Sequence, residues 1–200
     1  MPSRKQVNFP RSRRALAAVA LLCSLGSAQA QQPSAAQLSL CMACHGPQGN
    51  SQTATTPSLA GQPQVFLENQ LVLIREGLRD IPVMKGLLDK VTDPEIVALA
   101  TYFSAQKPVR QPSGTVDNVV YLRGQQTART MLCATCHLPD YSGRQQIPRL
   151  AGQQEDFLVY SMKQFRDHAG PGRDTIMSAS LFGLKDSDLT DLAHFLTHFK

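Results

Sequence analysis

Tryptophan is absent from this 200-residue chain, and aromatic residues of all kinds make up only 6% of it. A large aromatic core is therefore not expected. Long apolar runs are also missing, since residues 15–25 form only a short one and a membrane-spanning helix needs about 20 apolar residues. Of the five cysteines, Cys23 lies in the N-terminal leader and the other four lie in two short motifs. No cysteine is left for a structural disulfide.

The first 30 residues have the pattern of a secretory signal peptide. Five basic residues and no acidic residue accompany the apolar run at 15–25, and the small residues Ala28 and Ala30 predict cleavage after Ala30. We therefore expect export to the periplasm. Without the leader, Lys plus Arg falls from 20 to 15, which equals the 15 Asp plus Glu. That balance gives no argument for nucleic acid as a partner, while peripheral association with a membrane stays open.

Two C-x-x-C-H motifs, at residues 41–45 and 133–137, carry the chemistry of the chain. Two thiols one helical turn apart can each add to a vinyl group of the same porphyrin, and the histidine that follows then lies under the iron. The motifs therefore predict two covalently bound haem c groups. The predicted attachment residues are Cys41, Cys44, Cys133 and Cys136, and the predicted proximal iron ligands are His45 and His137.

A structural zinc site or a dithiol redox motif is the competing explanation of two C-x-x-C pairs. Zinc ligand pairs normally lie much closer in sequence than these two motifs do. A thioredoxin-type motif needs a βαβ setting, and that pattern is missing here. Export of the chain and a histidine directly after each pair both favour haem.

The two halves of the chain repeat each other at an offset of 91 to 93 residues. The P-x-L-A-G-Q sequence at 57–62 returns at 148–153, and the apolar face of the helix opened by Thr92 returns in the helix opened by residues 186–188. A further helix is predicted at 65–78. The repeat predicts an all-α tandem of cytochrome c-like domains, each wrapped around one haem. We expect the first domain at 31–107, a linker at 108–116 and the second domain at 117–200.

Each iron in an electron carrier needs a sixth ligand, and the repeat selects a methionine in each half. Met84 lies 39 residues after His45 in an irregular stretch, whereas Met42 lies between the two cysteines and faces away from the iron. In the second half Met177 matches Met84 in the repeat. A thioether ligand raises the potential relative to two imidazoles. The competing candidates in the second half are Met131, which precedes the motif on its helix, and Met162, which we expect in the core.

The carbonyls of Pro57 and Pro148 are predicted to accept the second ring N–H of the proximal histidines, because such a bond fixes the tautomer of a metal-bound imidazole. The remaining histidines fall outside the repeat. His194 and His198 have an i, i+4 spacing that can bind a metal, but we expect them on a solvated helix face. His168 is expected at the surface.

These features together resemble the dihaem cytochrome c4 family over nearly the whole mature chain. The resemblance implies two class I cytochrome c domains related by a pseudo-twofold, with their haems facing each other near the interface. It implies that His45 and Met84, then His137 and Met177, are axial ligands. It also implies a periplasmic carrier without catalytic residues, which takes electrons from a quinol-oxidising complex and passes them to a terminal oxidase or another acceptor.

The second half departs from the family pattern directly after its motif. His137 is followed by Leu138 and Pro139 instead of Gly46 and Pro47, which leaves the shape of the second haem edge open. Two other functions also stay open. One is an electron-accepting subunit of a dehydrogenase such as flavocytochrome c sulfide dehydrogenase, and the other, ranked last, is a dihaem enzyme such as a peroxidase.

Overall fold

The computed structural model describes residues 32–109, 114–168, 170 and 172–200. The predicted signal peptide and the centre of the predicted linker lie outside these residues. Within them the regular structure is helical, with two 3₁₀ turns at Pro47–Gly49 and Pro82–Met84, and no strand beyond one isolated bridge. The α-helices are α1 (Ala35–His45), α2 (Gln64–Arg75), α3 (Asp93–Ser104), α4 (Asn118–Thr130), α5 (Cys133–His137), α6 (Glu155–Asp167), α7 (Thr175–Leu181) and α8 (Asp186–His198).

Local capping explains where the helices of the first half begin. Ser34 caps α1 in a reciprocal capping box with Gln37, and Thr92 caps α3 in the same way with Glu95. Each box satisfies backbone N–H groups that have no partner inside the helix. The prediction for α3 is therefore confirmed. The helix predicted at 65–78 is also present, although α2 ends three residues earlier, at Arg75.

The second half has a helical break that the first half lacks. Leu132 adopts a left-handed conformation, with φ 56° and ψ 32°, between α4 and α5. The second motif therefore lies on a short helix of its own, whereas the first motif forms the C-terminal turns of α1. The short helix α7, which carries Met177, was not predicted.

Each half has its own apolar core. The buried cluster of the first half consists of Leu67, Leu99, Ala100 and Phe103. The larger cluster of the second half is centred on α8, where Gly124 of α4 is so close that a Cβ atom would lie 2.0 Å from the Asp191 carbonyl oxygen. Arg123 and Asp191 form a bidentate ion pair across the same helix crossing, at 2.6 and 2.8 Å.

The halves meet through their two P-x-L-A-G-Q segments. Gln62 of the first half bonds the backbone of Arg149, and Gln153 of the second half bonds the backbone of Ser58. Because Ser58 and Arg149 hold the same position in the repeat, the contact has the reciprocity of a twofold interface. A search of the described residues for a helix long and apolar enough to cross a membrane finds none.

Candidate cofactor sites

The first motif places its three chemical groups on the last turns of α1. Cys41 is partly buried against the core of the first half, and Cys44 is exposed one turn later. Burial raises the pKa of the Cys41 thiol. The sulfur of Met42 accepts the Gln48 N–H at 3.3 Å, so this methionine is turned toward the following loop. It does not compete for the face of the helix that carries His45.

The imidazole of His45 is held in one orientation. Its Nδ1 donates to the Pro57 carbonyl oxygen at 2.8 Å, and the residue is 8% exposed. Burial lowers the pKa of His45, and the bond to Pro57 offsets part of that shift. With Nδ1 engaged, Nε2 is the nitrogen that remains for a metal. A neutral imidazole with a fixed tautomer is the form that binds iron.

The second motif repeats this construction. His137 Nδ1 donates to the Pro148 carbonyl oxygen at 2.9 Å, and His137 is 6% exposed. Burial lowers the pKa of His137 and raises that of Cys133. The predicted role of the two proline carbonyls is therefore confirmed. In each half the donor set is two cysteines and one imidazole whose Nε2 bonds no other described residue, and this set fits a covalently attached haem.

The backbone after the second motif matches the first at both ends of the loop despite the different sequence. Leu138 has φ 70° and ψ 158°, against 76° and 173° for Gly46. The carbonyl of Tyr141 accepts two backbone N–H groups, from residues 150 and 151, as the carbonyl of Gly49 does from residues 59 and 60. The predicted departure in sequence is real, but the two ends of the loop keep their conformation. Between them the loops differ, since Gln48 has φ 55° whereas the equivalent Asp140 has no positive φ.

The methionine candidates differ in their surroundings. Met84 ends the 3₁₀ turn Pro82–Met84 and is partly buried, and Met177 lies on α7 with its N–H on the side chain of Asp174. Met162 is 6% exposed inside the second core, so its predicted core role is confirmed. Met131 follows α4 as its C-terminal cap.

One prediction about the remaining histidines is wrong. His194 and His198 are 8% and 6% exposed, so they do not lie on a solvated face. The backbone N–H of Asp117 donates to His194 Nε2 at 3.1 Å, which leaves the proton on Nδ1, facing the Glu155 carboxylate at 3.2 Å. The helix α8 turns this side inward because the start of α4 and the start of α6 both pack against it. Sequence periodicity alone gave no sign of that second neighbour. His168 is exposed, as predicted.

The ligand atoms of Glu155, His194 and His198 lie within 4.8 Å of one another. A metal at this position would need the lone pair of His194 Nδ1, and that nitrogen carries the proton as long as Nε2 accepts from Asp117. Hydrogen bonds of His194 to Asp117 and Glu155 therefore tie the start of α4 to α6 and α8, while His198 stacks beside His194 and bonds its backbone carbonyl at 2.9 Å.

Two arginines, each followed by an aspartate and 94 residues apart, come together between the halves. Burial, and then the charge of Arg173, lowers the pKa of Arg79 to about 10. Each guanidinium donates to a glutamine, Arg79 to Gln70 and Arg173 to Gln164. No carboxylate of the described residues forms an ion pair with either arginine. This pair of charges could not be foreseen from the sequence, although an Arg-Asp pair precedes the candidate methionine in each half.

Comparison with known proteins agrees with this geometry. The family model described as cytochrome c matches residues 121–200. Cytochrome c4 of Azotobacter vinelandii is 32% identical over 188 residues, which cover 86% of this chain and 88% of that protein. A thiosulfate dehydrogenase electron acceptor of Thiomonas intermedia is 31% identical over 141 residues, covering 66% of this chain and 65% of that protein.

Among solved structures, reduced recombinant cytochrome c4 from Pseudomonas stutzeri superposes with a TM-score of 0.76 at 28% identity, covering 82% of this chain and 96% of that chain. The predicted all-α, cytochrome c-like fold and the predicted covalent haem c groups are therefore confirmed. The chain belongs to the cytochrome c4 family of dihaem electron-transfer cytochromes.

Proposed function

We propose that the protein is a periplasmic carrier that moves electrons one at a time through two closed haem sites. The observation that carries the proposal is the duplicated histidine construction, with His45 on the Pro57 carbonyl and His137 on the Pro148 carbonyl at nearly equal distances. A site with this construction on one side of the iron and a thioether on the other exchanges electrons without binding a substrate.

The residue assignments follow the repeat. The four motif cysteines would hold the two porphyrins covalently, and Nε2 of each motif histidine would bind the iron. Met84 and Met177 are the proposed distal ligands. Val83 and Phe182 support this placement, because these apolar side chains in the two methionine-bearing stretches are 87% and 82% exposed to solvent in the polypeptide alone. A porphyrin in contact with them would remove that apolar surface from water.

The proposed domains are those of the repeat, with residues 31–107 and 117–200 each holding one haem and residues 108–116 as the linker. Two separate apolar cores support this division. Arg79 and Arg173 are the proposed partners of the haem propionates. Their like charges lie close together at the interface, both side chains are partly buried and each bonds a glutamine amide, and an added carboxylate would offset the cost of this arrangement.

Redox proteins are the proposed partners. The main proposal has a quinol-oxidising complex as donor and a terminal oxidase as acceptor. The relative named as a thiosulfate dehydrogenase electron acceptor favours a second candidate, in which this chain accepts electrons from a dehydrogenase and forms a stable complex with it. Such a relative supports thiosulfate dehydrogenase as the example of this donor over flavocytochrome c sulfide dehydrogenase.

Affinity purification of the haem-loaded protein from its own periplasm separates the two candidates. A carrier is recovered mostly alone and is reduced rapidly by quinol-oxidising membranes. A dehydrogenase subunit is recovered in stoichiometric complex with a second chain and is reduced by the substrate of that chain. A haem-loaded protein that neither donor reduces would contradict both.

A further inference from the structure

Each interface glutamine holds both backbone polar groups of one residue in the opposite half. Gln153 accepts the Ser58 N–H at 2.8 Å and donates to the Ser58 carbonyl at 2.9 Å. Gln62 accepts the Arg149 N–H at 2.9 Å and donates to the Arg149 carbonyl at 2.9 Å. Both glutamines are 5% exposed. Their amides are therefore fixed, and these bonds lie away from competing water.

The clamped peptides are the ones that hold the proximal histidines. The N–H of Ser58 and the carbonyl of Pro57 belong to the same peptide group, and that carbonyl accepts His45 Nδ1. The N–H of Arg149 and the carbonyl of Pro148 likewise share one peptide group, which accepts His137 Nδ1. A continuous line of hydrogen bonds thus joins each motif histidine to a glutamine of the other half.

Hydrogen bonds in such a line strengthen one another. A peptide whose N–H is bonded becomes more polarised, so its carbonyl oxygen accepts more strongly. A stronger acceptor on Nδ1 makes the imidazole a more basic ligand, which favours Fe(III) over Fe(II). Donation from Ser58 to Gln153 should therefore lower the potential of the first haem, and donation from Arg149 to Gln62 should lower that of the second.

We propose that Gln62 and Gln153 are positioning residues that set the donor strength of the proximal histidine in the opposite half, so that docking of the two halves tunes both haem potentials. The proposal rests on the proposed ligation by His45 and His137. It gives the interface a role in electron transfer beyond holding the haems close together. Contact between the halves becomes part of the environment of each iron.

A purely structural role of the glutamines makes a different prediction. If the amides only join the halves, removing either one loosens the same interface and affects both haems alike. If they act through the peptide, the effect is crossed, because Gln153 reaches His45 whereas Gln62 reaches His137. Gln154 provides a matched control. It is also 5% exposed and donates across the interface, to the Ser51 carbonyl at 2.6 Å, but it does not touch either histidine-bearing peptide.

The test uses the haem-loaded full chain with Gln153→Leu, Gln62→Leu and Gln154→Leu. Spectroelectrochemistry measures the two potentials, and NMR of the ferrous protein measures the Nδ1–H resonances of His45 and His137. We expect Gln153→Leu to raise the first potential and move the His45 resonance upfield, and Gln62→Leu to do the same for the second haem and His137. Each rise should be smaller than the roughly 59 mV that corresponds to a tenfold change for one electron. Gln154→Leu should leave both resonances in place.

A second variant keeps the test decisive if Leu weakens docking. Gln153→Glu retains an acceptor for Ser58 and makes it stronger, so the His45 resonance should move downfield, opposite to the Leu variant. Equal changes in both halves, or none in any variant, would overturn the proposal. Failure of the ligation itself has another signature, since the wild-type Nδ1–H resonances would then lack the displacement expected of an imidazole beside a haem.

Discussion

The loops that follow the two motifs share their conformation at two matched positions, but different residues occupy those positions. Both loops have a positive φ at two matched positions. In the first loop these positions are Gly46 and Gly49. In the second loop the same positions are Leu138 and Tyr141, with φ of 70° and 52°. The φ and ψ of Leu138 lie in a region that glycine almost alone adopts without strain. At these two positions the second loop therefore carries a cost in backbone energy that the glycines of the first loop avoid, although the first loop has its own left-handed residue at Gln48, with φ 55°.

Packing explains how the second loop keeps this conformation. A Cβ atom at Gly49 would lie 2.7 Å from the Phe103 ring, so glycine is required there. In the second half Leu196 takes the place of Phe103, and Tyr141 is buried in the same cluster, with edge contacts to Phe195 at 5.5 Å and to Phe199 at 4.8 Å. In the first half the small Gly49 faces the large Phe103, whereas in the second half the large Tyr141 faces the smaller Leu196. The comparison teaches that core packing, together with the carbonyl of Gly49 or Tyr141 that accepts two N–H groups, determines this loop conformation. Glycine at these positions is not the only sequence that permits it.

Removal of a distal ligand is expected to have the largest effect on the haem potentials, and this effect should be equal in the two halves. Met84→Ala and Met177→Ala should each open one iron, allow stoichiometric carbon monoxide binding and lower that potential by more than the roughly 59 mV of a tenfold change. Met162→Leu, in the core, should do neither. The measurements are carbon monoxide titration and spectroelectrochemistry. An unchanged second potential in Met177→Ala would move the ligand assignment to Met131 or Met162.

Exchanging the residues that directly follow the two motifs should change the free energy of unfolding in opposite directions. In Gly46→Leu the new Cβ would lie 2.1 Å from the Asn50 carbonyl oxygen, so we expect a loss of about 3 kcal/mol or more in the free energy of unfolding. Leu138→Gly relieves backbone strain and should gain about 1 kcal/mol. Denaturant unfolding of the haem-loaded protein provides both values. A loss in Leu138→Gly similar to that in Gly46→Leu would mean that the second loop is not strained.

The size exchange predicts energetic coupling between Gly49 and Phe103. Gly49→Ala alone should destabilise the first half by about 2 kcal/mol, because the methyl group meets the ring and the φ is positive. Phe103→Leu imitates the second half and makes room. The double variant should be more stable than the sum of the single changes by about 1 kcal/mol. Strict additivity in this cycle would remove the compensation argument.

The smallest expected effect concerns acid stability of the first half. Hydrogen bonds from Thr92 and then from Gln37 lower the pKa of Glu95 in the folded protein. A carboxylate with a lowered folded pKa stabilises the protein above its unfolded pKa of about 4.3, and that contribution is lost as the pH falls through the folded value. Glu95→Gln keeps an acceptor for the cap but removes the titration. The free energy of unfolding should therefore fall less steeply between pH 5 and 2 in this variant. An unchanged slope would contradict the lowered pKa of Glu95.

Much of the fold and the site could be predicted because covalent chemistry and repetition leave strong marks in sequence. The C-x-x-C-H spacing predicts haem attachment, the box at Thr92 and Glu95 predicts the start of α3, and the 91 to 93 residue offset predicts two copies of one domain. The proline carbonyls could be predicted because a metal-bound histidine needs an acceptor for its other nitrogen. These features depend on local geometry that the residue types themselves impose.

The features that could not be predicted depend on neighbours distant in sequence. His194 and His198 have the spacing of an exposed helix face, and only the packing of α4 and α6 against α8 buries them. Tyr141 in the place of a glycine gives no local sign that the conformation at this position survives, since that depends on Leu196 more than 50 residues away. The clamps of Gln62 and Gln153 were invisible for the same reason, because each partner lies in the other half of the chain.

The most direct test of two closed electron-transfer sites is a redox titration of the haem-loaded wild-type protein with and without carbon monoxide at neutral pH. Two closed sites predict that each chain takes up two electrons in one-electron steps and that the two curves superimpose. A curve that carbon monoxide displaces to higher potential at either haem would show an open iron and would contradict the account.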